Sequence, residues 1–372
     1  MAKPYFGGVD LIRFLAAAMV AIGHLGVRAQ LHPDSYPAVM VGWQGAPLAP
    51  SFWWGWVGVQ IFFVVSGMLI ANSAAKSNPV DFVKGRAKRL YPVVWLSVPI
   101  IAAAVLAYDF VPLGPTVIDI VGSMTLIPGA PIIEPVMWTL GVEVVFYGLV
   151  FFSLLSGRRG FLPIIAWGLT LISGLYLVVL SAGLIDLPPK LERLTLLRHG
   201  VFFGFGIFCW MASQKMLRCR DAIVMALAAC FCMLEVYTKA AESSEFQGLS
   251  TALWEPVLVW ALAAALLFGN SIKNVSTPNY FRLLGLATYP YYLLHQTVGG
   301  LTMRPLIAAG INPHIALMVA LVAVFVVSIL IVLVFEKPLA GTLGGVLNDF
   351  EQRYIRPKPA FRRLYSRGVQ AT

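Results

Sequence analysis

The sequence predicts an all-α protein, a polytopic bundle of about ten transmembrane helices. Three observations predict it. Hydrophobic residues make up 59% of the chain and charged ones only 12%, at a mean hydropathy of +0.81. Soluble domains carry roughly a quarter charged residues, so a soluble protein is excluded and length alone sets no domain count. Apolar stretches near the roughly 20 residues needed to cross a bilayer as a helix recur along the chain. Finally, 27 Lys and Arg stand against 17 Asp and Glu, and this surplus is unevenly divided among the connecting segments. In a membrane protein such a surplus reports topology rather than nucleic-acid binding.

The first stretch, Val9 to Val27, contains Asp10, Arg13 and His24. Charges near its start and the lack of a small-residue cleavage site make it a span rather than a removable leader. The second runs from Trp54 to Ser73 and the third from Tyr91 to Phe110, the latter preceded by Lys84, Arg86, Lys88 and Arg89. Val117 to Ile127 is apolar but too short to span, which leaves a re-entrant piece, an interfacial piece or part of a loop. The fourth stretch, Val136 to Leu155, contains Glu143. Then follow Phe161 to Ala182, Leu196 to Ala212, Asp221 to Tyr237 and Ala252 to Asn270. The ninth, Leu283 to Met303, contains His295, and the tenth, Ile315 to Phe335, ends next to Glu336. Residues 1–340 form the membrane domain and 341–372 a basic tail suited to anionic lipid. Four cysteines (Cys209, Cys219, Cys230, Cys232) show no disulfide or zinc spacing and read as core filler.

Ten spans place both termini on one side. That side then collects 21 of the 27 basic residues, and the other keeps Arg28, Lys190, Arg193, Arg198, Lys239 and Arg304. The majority side is the cytoplasm.

Ionisable groups inside a span are functional candidates because lipid makes them costly. Asp10 and Arg13, three apart, share a helical face, where they also suit a plain helix-end ion pair. From Arg13 to His24 the helix returns within roughly 20° of the same face and rises about 16 Å. His24, Glu143 and His295 are all expected in the outer half of the membrane. A carboxylate beside an imidazole is a general-base arrangement, and equally a proton relay for a transporter. The run from Lys84 to Arg89 is a topology signal or a phosphate clamp, since forked guanidinium groups suit phosphate.

At these residues the chain resembles the acyltransferase 3 family of integral membrane acyltransferases. Gly8-Val9-Asp10-Leu11-Ile12-Arg13, continuing to Gly23-His24, is similar to the family's D-x-x-R opening and following histidine. Phe62-Phe63-Val64-Val65-Ser66-Gly67-Met68-Leu69 resembles F-F-x-x-S-G-F-L, with Met68 in place of Phe. Arg86-Ala87-Lys88-Arg89-Leu90-Tyr91-Pro92 is similar to R-x-x-R-x-x-P. Trp138-Thr139-Leu140-Gly141-Val142-Glu143-Val144-Val145-Phe146-Tyr147 resembles W-S-L-x-x-E-x-x-F-Y, with Thr139 for Ser. Tyr291-Tyr292-Leu293-Leu294-His295 and Phe335-Glu336-Lys337-Pro338 resemble its late Y-L-x-H and E-x-P elements, while Pro290 departs from the pattern.

The resemblance implies a stand-alone O-acyltransferase without a fused SGNH domain, in a bacterial cytoplasmic (inner) membrane. It moves an acyl group, usually acetyl, from cytosolic acyl-CoA to a carbohydrate or glycolipid hydroxyl outside, with no metal and no nucleic acid. Arg13, Arg86 and Arg89 are then expected to hold the CoA phosphates. His24 is expected as the base, with Glu143 orienting it, and Tyr147, Trp138 or Ser66 as oxyanion donors. Ser66 also fits a tight helix contact or an acyl carrier. Asp10, His295 and Glu336 support the site. Trp43, Trp53 and Trp54, in the loop from Gln30, fit either sugar stacking or interfacial anchoring. A proton-coupled transporter or exporter is the alternative.

Overall fold

The structure is a computed structural model and describes residues 7–32, 35–43, 45–107, 113–157, 160–243, 252–273 and 279–355. Among these there is no strand. Helix α1 (Gly7–Gly23) runs into a π-helical turn, His24–Arg28. The short α2 (Tyr36–Val41) precedes a 3-10 turn, Pro50–Trp56, which leads into α3 (Val57–Ala74). Then come α4 (Pro79–Ala107), α5 (Leu113–Thr125) and α6 (Trp138–Leu155). Helices α7 (Phe161–Ser181), α8 (Pro189–Thr195), α9 (Gly200–Ser213) and α10 (Cys219–Glu242) follow. The chain continues through α11 (Trp254–Lys273), α12 (Asn279–Ala308) and α13 (Pro313–Leu330). A second π-helical turn, Ile331–Glu336, joins α13 to α14 (Lys337–Phe350).

Seven helical stretches among the described residues are long and apolar enough to cross a membrane: Gly8–Leu31, Pro50–Ala74, Pro79–Ala107, Pro135–Leu155, Phe161–Ser181, Pro189–Ser213 and Pro313–Ile355. Five open on proline, whose fixed φ and missing N–H suit a helix's first turn. The other three expected stretches lie in α10, α11 and α12. None of these is among the seven: α11 offers Trp254–Asn270 as a shorter apolar helix, and α10 and α12 carry polar groups inward. Asp221 and Glu235 on α10, and Thr288, His295, Gln296 and Thr297 on α12, are all buried.

Helices α1, α3, α9 and α12 form the centre. From Gly200 to Met211 every residue of α9 is buried, as expected for a helix apolar on all sides. Small residues let these helices touch backbone to backbone. A Cβ on Gly58 would strike the Ala16 carbonyl oxygen of α1, one on Gly67 the Phe203 carbonyl of α9, and one on Gly206 the Val64 carbonyl of α3. The periphery presents apolar side chains outward, among them Ile164, Leu171 and Ile172 of α7 and Ile315, Met318 and Val322 of α13. Lipid replaces the core as their partner.

The short apolar stretch becomes α5, with 13 residues. It lies along α4, where Tyr91 Oη donates to the Thr125 carbonyl at 3.0 Å and Trp95 Nε1 to that of Met124 at 3.2 Å. Pro290 leaves α12 continuous. The boundary expected at 340 falls inside α14, which packs on α4, and Lys84 Nζ pairs with Glu351 at 2.6 Å. The remaining tail, with Arg356, Lys358, Arg362, Arg363 and Arg367, lies outside the described residues, as do Lys3, Arg158 and Arg159. Cys209 and Cys232 are buried, whereas Cys219 and Cys230 are exposed and fill no core.

Candidate active site

Two of the cavities among the described residues collect the ionisable groups expected from sequence. The first, about 110 Å³, is lined by Arg13 from α1, Ser66 from α3, Arg86 and Arg89 from α4, Glu143 and Tyr147 from α6, and Tyr289 and Tyr292 from α12. The second, about 710 Å³, is lined by His24, Arg28, Tyr36, Trp53, Trp56, Trp138, Arg193, Lys239, Tyr292 and Gln296 among others. We call them the arginine and histidine cavities. Arg13 and His24 lie on one helix, about 16 Å apart along its axis. Tyr292 lines both cavities and so stands between them.

In the arginine cavity each guanidinium is already oriented. Arg13 pairs with Asp10 at 3.5 Å, and Arg89 with Glu336 at 3.2 Å. Arg86 donates to Ser73 Oγ at 3.3 Å and lies 5.9 Å from the ring centres of both Phe82 and Tyr147. Its Nε is buried without a hydrogen-bond partner. Glu143 Oε1 accepts hydrogen bonds from Ser66 Oγ at 2.5 Å and Tyr147 Oη at 2.6 Å.

These contacts correct the expectation that Glu143 orients His24. Trp138, at the start of α6, reaches the histidine cavity, and Glu143 lies five residues further along that helix, about 7.5 Å deeper. There its carboxylate joins α3 to α6 beside the arginines. Ser66 and Tyr147 have their hydroxyl protons committed to Glu143, so they also leave the expected oxyanion role. Of the three donors named from sequence, only Trp138 lines the histidine cavity.

The partner of His24 is His295. His24 Nδ1 lies 2.9 Å from His295 Nε2, and the two rings are within 13° of parallel. His295, fully buried, has its Nδ1 2.7 Å from the Tyr292 carbonyl oxygen. A carbonyl only accepts, so that bond fixes the proton on His295 Nδ1 and leaves its Nε2 as acceptor. His24 Nδ1 must then donate, and His24 Nε2 becomes the basic atom of a residue lining the cavity. His24 also opens a π-helical turn, and Glu336 closes the other one named above; such turns recur at functional sites.

The sequence reading passed over several residues in and around this cavity. Glu134 is fully buried, and its Oε2 accepts from Thr297 Oγ1 at 2.7 Å. Tyr36 Oη lies 2.8 Å from the same Thr297 oxygen. Burial pushes the Glu134 carboxyl up to about 8 against the pull of its bonds to Thr297 and Tyr36, and burial raises the Tyr36 phenol as well. The neighbouring Pro131 and Pro135 mark this segment as a loop, so nothing local announced a buried acid. Arg193 lies 4.5 Å over the Trp138 ring, and His199 packs between Phe63 and Trp138. Of the three named tryptophans Trp53 lines the cavity, with its Nε1 donating to Glu255 at 2.6 Å. Trp54 packs on Phe52, and the exposed Trp43 indole donates to the Ala46 carbonyl.

A many-helix membrane bundle with an arginine-lined pocket at one end and a paired histidine at the other suits a membrane group-transfer enzyme. Residues 6–336 match the model of the acyltransferase 3 family, described as an acyltransferase domain, and the chain belongs to that family. It is an integral membrane acyltransferase, which disfavours the transporter alternative. The chain is also similar to the exopolysaccharide production protein ExoZ of Rhizobium meliloti (strain 1021), at 28% identity over 299 residues, covering 77% of this chain and 89% of that one. No solved structure matches it significantly.

Proposed function

We propose that the chain is an O-acyltransferase that moves an acetyl group from cytosolic acetyl-CoA to a carbohydrate or glycolipid hydroxyl on the outer side of a bacterial inner membrane. The observation that carries this reading is the arrangement of the two cavities along α1, with Tyr292 between them. In this reading all ten expected stretches span, both termini are cytoplasmic, and the arginine cavity faces the cytosol, where 21 basic residues gather. The relative's name, an exopolysaccharide production protein, supports a surface glycan as acceptor.

Arg13, Arg86 and Arg89 bind the CoA phosphates, Arg86 offering its unpartnered buried Nε. The pantetheine arm extends along α1 past Tyr292 and brings the thioester to His24. His24 Nε2 takes the acceptor hydroxyl proton as that oxygen bonds to the thioester carbonyl carbon. When the tetrahedral intermediate collapses, the carbon–sulfur bond breaks and the CoA sulfur takes the proton from His24. In this reading the Trp138 indole and the Gln296 amide, both lining this cavity, serve as the oxyanion donors. Glu143 serves the donor side by fixing Ser66 and Tyr147 beside the arginines.

Purified protein given radiolabelled acetyl-CoA and surface-glycan acceptor should form labelled glycan and free CoA thiol in equal amounts. Proton-driven uptake or export by proteoliposomes without any labelled glycan would support transport instead.

A further inference from the structure

Most of the hydroxyl groups lining the arginine cavity are committed to the protein itself. Ser66 and Tyr147 donate to Glu143, Thr139 and Tyr292 to the Val136 carbonyl, and Thr288 to the Leu284 carbonyl at 2.9 Å. Tyr289 is the exception among the described lining residues. It is only 8% exposed, and its Oη is buried without a hydrogen-bond partner. A phenol taken out of water in this way is destabilising unless something else fills the vacant bond. Arg86 Nε is the other such atom in the same lining, and in the reading above it serves the CoA phosphates. The Tyr289 hydroxyl has no role there.

Its place on α12 indicates what it meets. Tyr289, Tyr292 and His295 follow one another at three-residue spacing, so they share a face and step about 4.5 Å along the axis. Tyr289 lines the arginine cavity, Tyr292 stands between the two cavities with its ring centre 5.8 Å from that of His295, and His295 holds His24. A donor molecule reaching from the arginines to His24 therefore passes Tyr289 before Tyr292, about 9 Å short of His295 along the helix. An extended chain advances about 1.2 Å per bond, so of the two amide carbonyls in a pantetheine arm one lies about 5 Å from the CoA sulfur and the other about 10 Å. The farther one matches the level of Tyr289 when the thioester is at His24. Phe62, Val65, Leu69 and Leu140 add apolar lining that suits the methylenes of the arm.

We propose that Tyr289 is a donor-binding residue whose hydroxyl donates a hydrogen bond to the pantetheine amide carbonyl farther from the CoA sulfur. This rests on the acyl-CoA reading and adds a contact to the middle of the molecule, between the phosphates at the arginines and the thioester at His24. The contact sets how far the arm can advance, and so fixes the thioester at the depth of the histidine pair.

The test compares full-length wild-type protein with Tyr289→Phe in nanodiscs, by calorimetric titration with CoA and with its nucleotide half alone, phosphoadenosine diphosphate. The variant keeps the ring and loses the donor. It should bind CoA about threefold to tenfold more weakly, the scale of one neutral hydrogen bond, and the nucleotide half as tightly as wild type does. Unchanged nucleotide binding also reports that the variant is folded. Isotope-edited infrared spectra of bound CoA labelled at that carbonyl give a second readout. The amide stretch should lie at lower frequency in wild-type protein than in Tyr289→Phe, because only the former donates to it. An equal stretch in both proteins, or an equal loss of affinity for CoA and for the nucleotide half, overturns the contact. So does undiminished CoA affinity in the variant. Each of these leaves the acyl-CoA reading standing, whereas failure of wild-type protein to bind CoA overturns that reading and this inference with it.

Discussion

His24 Nδ1 lies 2.9 Å from His295 Nε2, and His295 Nδ1 lies 2.7 Å from a backbone carbonyl, so a peptide group on α12 sets the tautomer of a side chain on α1. A carboxylate fixes a catalytic imidazole in the familiar serine triad. Here a neutral imidazole takes that place, and among the described residues no negative charge is bonded to the base.

His295 therefore acts on His24 through one acceptor atom. His295→Gln, whose amide oxygen can occupy the place of Nε2, should retain much more kcat than His295→Ala, which should lose about 10²-fold or more. The acyl-CoA KM should stay near wild type in both, as initial rates of acetyl transfer at varied acyl-CoA will show.

Glu143→Gln should leave the pH profile of kcat unchanged, because Glu143 bonds Ser66 and Tyr147 rather than His24. Its effect should fall on acyl-CoA affinity, weakened several-fold, since Glu143 shares the cavity of Arg13, Arg86 and Arg89. A shifted pH profile would restore the carboxylate–imidazole pair.

Arg86→Ala and Arg89→Ala should each weaken acyl-CoA binding by about tenfold or more, the scale of a lost charge-assisted hydrogen bond to phosphate. Lysine should rescue Arg86 only in part, because an ammonium lacks the flat face that lies near Phe82 and Tyr147. Calorimetric titration with a non-hydrolysable acyl-CoA analogue measures both effects.

Tyr292→Ala should join the two cavities and admit water, so acyl-CoA hydrolysis without acceptor should rise while transfer falls. Tyr292→Phe keeps the ring against Phe62 and His295 and should stay close to wild type. Thiol release in the absence of glycan distinguishes the two variants.

Glu134 titrates at about 8, raised by burial, whereas an unfolded glutamate titrates near 4.3. Between those values the folded state holds the extra proton, so this group makes stability fall as pH rises, with the loss complete above about 8. Glu134→Gln removes that dependence. In thermal unfolding from pH 5 to pH 9, its stability relative to wild type should increase with pH.

The sequence made the bundle legible because apolar length is a local property, and each expected span lies largely within a helix. His24, the arginines and Glu143 stood out because ionisable groups are rare in such helices. Which of them meet is a matter of rotation and depth across helices far apart in sequence. Residues 24 and 295 are joined through α1 and α12, while Glu143 meets Ser66 where α6 packs on α3. Spacing within one helix determines neither contact. Arg193 and Lys239 were visible as minority-side charges, and only the fold shows that they line one cavity with His24.

The most direct measurement is single-turnover acetyl transfer by His24→Ala at saturating acetyl-CoA, with acetyl-CoA binding measured on the same preparation. The rate should fall by about 10²–10⁴-fold, the usual contribution of a positioned general base, with binding unchanged. Transfer within about threefold of wild type would contradict His24 as the base.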